Sequence, residues 1–99
     1  MPNSEPVVIR IVCALKDLKA NAIVNAFFEA TTHQAMRSFG VAVNTPDSLL
    51  SRYPDDFALM HIGYLTDDGK LHPLEAPVQL ATPRDFVAND NKLGAIFMD

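Results

Sequence analysis

The sequence predicts an α+β fold in which a small antiparallel sheet packs against one main helix. Apolar residues alternate at odd positions from Val7 to Leu15, as in a strand with one buried face. Apolar residues recur at helical spacing between His33 and Val43. An Asp-Gly pair at positions 68 and 69 marks a hairpin turn beside a further apolar segment. Together these three patterns combine strands and a helix in one short chain.

The length of 99 residues and an apolar content of 48% predict a single domain with one modest core. We assign this domain to residues 1–99, with residues 1–6 as an N-terminal extension and residues 88–99 as a C-terminal tail. No apolar run reaches the roughly 20 residues that cross a bilayer. The N-terminus also lacks the basic and apolar regions of a signal peptide. We therefore expect a soluble protein of the cytoplasm.

The first strand, Val7–Leu15, leads into a turn that ends at Asn21, a residue type that tolerates a left-handed backbone. The next segment, Ala22–Ala30, is ambiguous. Its alanine content and the i, i+3, i+4 spacing of its apolar residues suit a helix as well as a strand. The residues alone leave these two alternatives nearly even.

The main helix is predicted from about His33 to Val43, with Thr32 as its N-cap. Its apolar face would pack on the sheet through Met36 and Phe39. A short second helix is predicted over Pro46–Arg52, because proline suits the first position of a helix.

A second pair of strands follows. Phe57–Leu65 is apolar at both alternating sets of positions, which predicts a central strand. The turn at residues 67–69 leads into a returning strand from Lys70 to Glu75. Pro73 cannot donate a hydrogen bond to a neighbouring strand, so we place this strand at an edge of the sheet. Thr82 then caps a final helix of about two turns, whose first position is a proline.

The net charge of −4 argues against non-specific binding to duplex DNA, because proteins that bind this way concentrate lysine and arginine on one face. The eight basic residues are scattered along the chain, and only Lys16 and Lys19 lie close together. If DNA is bound at all, we expect contacts from these two lysines and from Arg10 on the outward face of the first strand. Dimerisation would bring two such turns together.

The single cysteine, Cys13, forms no internal disulfide and excludes a multi-thiolate zinc site. With His33, His61 or His72 as a base it could act as a nucleophile. Its place in the inward-facing set of the first strand is more typical of a small buried hydrophobe.

Two groups of polar residues could in principle bind a metal ion. His61 and His72 lie on paired strands and could share a metal with Asp67 or Asp68, but their spacing matches no zinc motif. This aspartate pair and the pair at 55–56 could also bind Mg²⁺, yet both lie in turns where solvated carboxylates are ordinary. We predict no metal site, no cofactor and no catalytic residue.

Aromatic residues could stack on the bases of single-stranded DNA, but such a surface also needs a basic groove. With the cations scattered, core packing explains these residues more simply: Phe27, Phe28, Tyr53 and Tyr64.

A homodimer is predicted, because a chain this short has apolar residues on both faces of one strand and in its tail. The residues predicted for self-association or partner binding are Met60, Ile62, Tyr64, Leu93, Ile96 and Phe97.

A series of motifs, densest in residues 34–74, resembles a known family. The densest motifs are Arg37-Ser38-Phe39, Ala42-Val43-Asn44, Leu50 with Tyr53-Pro54-Asp55-Asp56-Phe57, and Gly63-Tyr64 before Asp67-Asp68-Gly69. The first strand, Lys19-Ala20, Phe27-Phe28 and residues 77–87 extend the likeness. Together they resemble the small nonstructural protein of gokushovirus-like phages, which are single-stranded DNA viruses of the Microviridae family.

The resemblance favours a strand over Ala22–Ala30, which gives the order β-β-α-α-β-β-α and a sheet made of two hairpins. It implies a protein of the infected bacterial cytoplasm that is not part of the mature capsid and that supports single-stranded genome synthesis coupled to packaging. It supplies no active-site residues. We therefore expect a non-enzymatic accessory protein that contacts replication or assembly proteins. The alternatives are a single-stranded DNA-binding protein and a small metal-dependent or cysteine-dependent enzyme.

Overall fold

Two β-hairpins joined side by side form one four-stranded antiparallel sheet. The structure is a computed structural model, and it describes residues 5–87. The order of strands in the sheet is β2-β1-β3-β4, and a helical turn at residues 83–87 follows the last strand. The predicted α+β class and order of elements are confirmed. The elements are β1 (Val8–Asp17), β2 (Ala22–Glu29), α1 (Thr32–Val43), α2 (Leu49–Arg52), β3 (Phe57–Thr66) and β4 (Leu71–Ala81).

The first hairpin settles the ambiguous segment as a strand. Asn21 takes the left-handed conformation with φ of 55°. One carboxylate oxygen of Asp17 accepts hydrogen bonds from the backbone N–H groups of Lys19 and Ala20, both at 3.0 Å. Phe27 then lies opposite Cys13 in the register and packs against the core. Pairing with β1 therefore overrides the helix propensity of β2, as tertiary context often does.

The second hairpin confirms that β3 is central and that β4 lies at an edge. Gly69 has a φ of 86°, as the Asp-Gly turn requires. The prediction was wrong about the length of β4, which continues past Glu75 to Ala81. Proline is compatible with this strand because an edge strand pairs on one side only. The pairing of β3 with β4 contains two register shifts, so the regular ladder of hydrogen bonds is interrupted along this proline-containing strand.

The predicted N-cap of α1 is wrong by one residue. The hydroxyl of Thr31, not that of Thr32, accepts a hydrogen bond from the backbone N–H of Gln34 at 3.0 Å. Helix α2 is shorter than the predicted Pro46–Arg52. It begins at Leu49 with Ser48 as its N-cap. A right-handed helix cannot run through Asp47, because this residue has a left-handed φ of 62°.

One face of the sheet carries the core. We call this the helix face, and it presents Cys13, Leu15 and Leu59 toward the helices. Helix α1 packs there through Phe39, as predicted, with Met36 partly buried beside it. The fully or nearly buried cluster contains Cys13, Ala35, Phe39, Val43, Leu50, Leu59 and Ala81.

The helical turn at residues 83–87 packs on the helix face as well. The ring of Phe86 meets that of Phe39 edge-on, with 5.8 Å between the centroids. Phe86 and Val87 both pack against the cluster. The part of the chain that the structure describes contains no helix long and apolar enough to span a membrane.

Candidate interaction surface

The sheet has a second face, opposite α1. Because directly paired residues of an antiparallel sheet point to the same side, the register defines this face. None of its residues belongs to the buried cluster under the helices. We call it the opposite face. Along β1 and β3 it carries the pairs Arg10 with Leu65, Val12 with Gly63, Ala14 with Met60, and Lys16 with Ala58.

The opposite face is apolar in its middle, with Arg10 and Lys16 near the ends of β1 and Glu75 on the edge strand β4. Ala14 and Ala58 are fully buried and Met60 is 9% exposed, whereas Phe28 of β2 and Leu71 of β4 are more than half exposed. The paired positions of this face include Arg10 and Lys16 but no carboxylate. With Glu75 included, the face carries two cations and one carboxylate, whereas the chain as a whole has a net charge of −4.

An apolar groove of about 200 Å³ lies beside β3 and β4. Gly63 shapes it, because a Cβ atom there would lie 2.5 Å from the backbone oxygen of His72. Only glycine allows the two strands to approach this closely at that position. The lining residues are Val12, Ile62, Gly63, Leu71, His72 and Pro73.

Of the residues predicted for self-association, the three that the structure describes lie on two different faces of the sheet. Met60 points to the opposite face, and Ile62 lines the groove at a register shift. Tyr64 points to the helix face, where its ring stacks on that of His72 with 4.8 Å between centroids. The remaining residues of that prediction lie outside the described part of the chain: Leu93, Ile96 and Phe97.

The three predicted DNA-binding cations are grouped differently from their order in the sequence. Arg10 and Lys16 share the opposite face, with Phe28 between them on β2. The Nζ atom of Lys19 lies instead in the turn, 3.9 Å from a carboxylate oxygen of Asp56. The sequence could have shown that Arg10 and Lys16 share a face, because both lie at even positions of β1. The position of Phe28 needs the hairpin register, so sequence reasoning missed it.

Cys13 is fully buried in the core. Burial raises the pKa of its thiol from an ordinary 9.0 to about 11, and the nearby carboxylate of Glu29 adds to the effect. At neutral pH the group is therefore a thiol and not a nucleophilic thiolate. This environment gives no support to a cysteine-dependent enzyme.

His61 and His72 make separate local contacts. His61 Nε2 lies 3.0 Å from the backbone oxygen of Gly63, and His72 Nε2 lies 2.9 Å from Thr66 Oγ1. The Thr66 hydroxyl also donates a hydrogen bond to Asp68, which lowers the pKa of that carboxyl. Within residues 5–87, no group of three or more His, Cys, Asp or Glu side chains is arranged to hold a metal ion.

Asp55 is held by an arginine. Arg84 donates two hydrogen bonds to its carboxylate, from Nε at 2.7 Å and from Nη2 at 2.9 Å. These bonds lower the pKa of Asp55 and raise that of Arg84. The pair connects the loop before β3 with the helical turn after β4 at the surface of the protein.

A second cavity of about 260 Å³ lies between β2 and α1, and sequence reasoning missed it. Its walls are mostly apolar, including Phe27, Phe39 and Leu59. Asn25 and Glu29 of β2 contribute polar side chains. The cavity forms where several elements meet, and the spacing of apolar residues in a sequence does not predict such a meeting point.

The fold and its surfaces define a class: a small α+β protein with helices on one face of an antiparallel sheet and a largely apolar surface on the other. The family described as Phage ORF5 protein has a model that matches residues 10–86. The chain belongs to this family and is a bacteriophage protein. No curated protein and no solved structure matches the chain significantly.

Proposed function

We propose that this phage protein is a non-enzymatic accessory protein of a gokushovirus-like member of the Microviridae. In the cytoplasm of the infected bacterium it would support the synthesis or packaging of a single-stranded genome by contacting replication or assembly proteins. The observation that carries the proposal is the opposite face, whose apolar groove and half-exposed Phe28 and Leu71 lie away from the helical layer.

These features suit a protein partner. Interface cores are depleted in charge and enriched in aromatic residues. The middle of the opposite face carries no charged residue at its paired positions, and Phe28 borders it. The overall charge of −4 disfavours an affinity based mainly on phosphate neutralisation.

Complementation of a phage that lacks this protein tests the proposal. Phe28→Ser with Leu71→Ser removes two exposed apolar side chains from the opposite face, and we expect at least a tenfold loss of single-stranded genomes and packaged particles. Val41→Ser with Leu49→Ser is the matched control, because these side chains are 66% and 57% exposed on the helices. Full activity of the first variant, or an equal loss in both, would reject the opposite face as the functional surface.

Binding of single-stranded DNA is the second candidate function, and the shared face of Arg10, Lys16 and Phe28 favours it. Cations along a strand and an exposed aromatic ring are the elements with which single-strand binders hold phosphates and stack bases. Two cations per chain give only a weak site on their own.

A filter-binding titration with salt separates the two candidates. For DNA binding, Arg10→Glu with Lys16→Glu should abolish retention of an oligonucleotide, and the wild-type affinity should fall steeply as salt increases. Arg37→Glu with Lys70→Glu changes the net charge equally at exposed positions elsewhere and should retain most of the binding. No retention by the wild type, or a slope near zero, would leave protein contacts as the better explanation.

A further inference from the structure

The two edges of the sheet are chemically different. Among the described strands, β2 pairs only with β1 and β4 pairs only with β3. Strand β4 contains Pro73 and Pro77 and has two register shifts, which are devices that prevent an edge from pairing with another strand. Strand β2 contains no proline and no lysine, and it has one register shift, near Ile23.

The β2 edge is also uncharged and apolar. Its one charged residue, Glu29, is the last of the strand, and residues 20–28 carry no charge. Ile23, Val24 and Phe28 are 51%, 58% and 52% exposed. Apolar edges that lack proline and charge are templates for pairing with another strand.

We propose that the outer edge of β2 pairs antiparallel with β2 of a second copy of this chain, which joins two sheets into one of eight strands. This inference does not depend on the proposed function.

The sequence of the β2 edge is complementary to itself in an antiparallel pairing, which favours a second copy as the occupant. Two chains that each carry −4 repel one another, so they approach at least cost through a stretch without charge. With Ala26 opposite Ala26 of the second copy, Val24 would face Phe28 and Glu29 would face Ile23. Apolar cross-strand pairs then form, and the two glutamates stay apart.

Engineered cysteines test the geometry in the full chain. Cys13 is buried with a raised pKa, so it resists oxidation and need not be removed. Under mild oxidation, Ala26→Cys should give a disulfide-linked dimer in good yield. Ala76→Cys is the matched control on the edge strand β4, where the alanine is also exposed, and it should remain mostly monomeric.

Mass in solution provides an independent test. Light scattering at increasing concentration should show the wild type rising toward twice the mass of the 10.9 kDa chain. Val24→Lys with Ala26→Lys should hold the mass at that of one chain while the circular dichroism spectrum stays unchanged. Val78→Lys with Ala76→Lys makes the same residue changes on β4 and should leave the dimer intact.

Three outcomes would overturn the inference. A wild type that stays monomeric at about 1 mM would show that another segment of the chain, or nothing, occupies this edge. A dimer that survives the β2 substitutions would place the contact elsewhere. A dimer that is lost only with the β4 substitutions would assign it to the other edge.

Discussion

Cys13 shows most directly how burial sets the chemistry of a single side chain. Burial raises the pKa of its thiol from 9.0 to about 11, because the core excludes water from the charged form. The folded state thus keeps the proton at pH values where the unfolded chain has lost it. Its contribution to stability is complete below pH 9 and is lost as the pH rises toward 11.

We expect the free energy of unfolding of the wild type, relative to Cys13→Ala, to fall by about 1.4 kcal/mol between pH 7 and pH 10. Denaturant unfolding of both proteins at each pH measures this difference, and the comparison cancels the titration of the other groups. A difference that does not change with pH would show that the thiol is accessible to water in the folded state.

Phe39 connects α1 to both the sheet and the last helical turn. It is 6% exposed and meets Phe86 edge-on. Phe39→Ala should reduce the free energy of unfolding by on the order of 3 kcal/mol, because it leaves a cavity in a small core. Val41→Ala on the exposed side of the same helix, where the side chain is 66% exposed, should cost less than about 0.5 kcal/mol. Similar melting temperatures for wild type and Phe39→Ala would contradict this packing.

At the scale of elements, the sequence predicts those whose pattern is local. The alternation in β1 and the apolar spacing of α1 identify both elements, since each reflects one buried face. The sequence of β2 does not alternate between apolar and polar residues. Its strand conformation depends instead on pairing with β1. The extension of β4 to Ala81 also escapes prediction, since proline is tolerated only once the strand is known to lie at an edge.

The start of α1 provides a test at this scale. Thr31 and Thr32 are adjacent and chemically identical, but only Thr31 accepts the hydrogen bond from Gln34. Thr31→Ala should therefore reduce the free energy of unfolding by about 1 kcal/mol. Thr32→Ala should have little effect or stabilise slightly, because alanine is the better helix former inside the first turn. Urea unfolding of the two variants shows which threonine is the N-cap. If Thr32→Ala were the more destabilising change, Thr32 would be the cap, as the sequence predicts.

At the scale of the whole molecule, the net charge gives an incomplete description of the surface. The chain as a whole is acidic, yet Arg10 and Lys16 lie together on the opposite face. Proximity in sequence groups Lys16 with Lys19, whereas the register groups it with Arg10 and Phe28. A candidate surface on a sheet therefore depends on strand pairing, which brings together residues distant in sequence.

Hydrogen exchange would reveal how the sheet is used as a whole. Strands β1 and β3 have neighbours on both sides, so their amides should exchange slowest, at a rate set by global unfolding. The outward amides of β4 should exchange fast at every protein concentration. For β2 we expect outward amides that become slower as concentration rises, because pairing with a second copy buries them. Val24→Lys with Ala26→Lys should return them to the fast rates of β4, measured by mass spectrometry or NMR. If β2 exchanges as fast as β4 even in concentrated wild-type samples, the sheet ends at β2 and no second copy pairs with this edge.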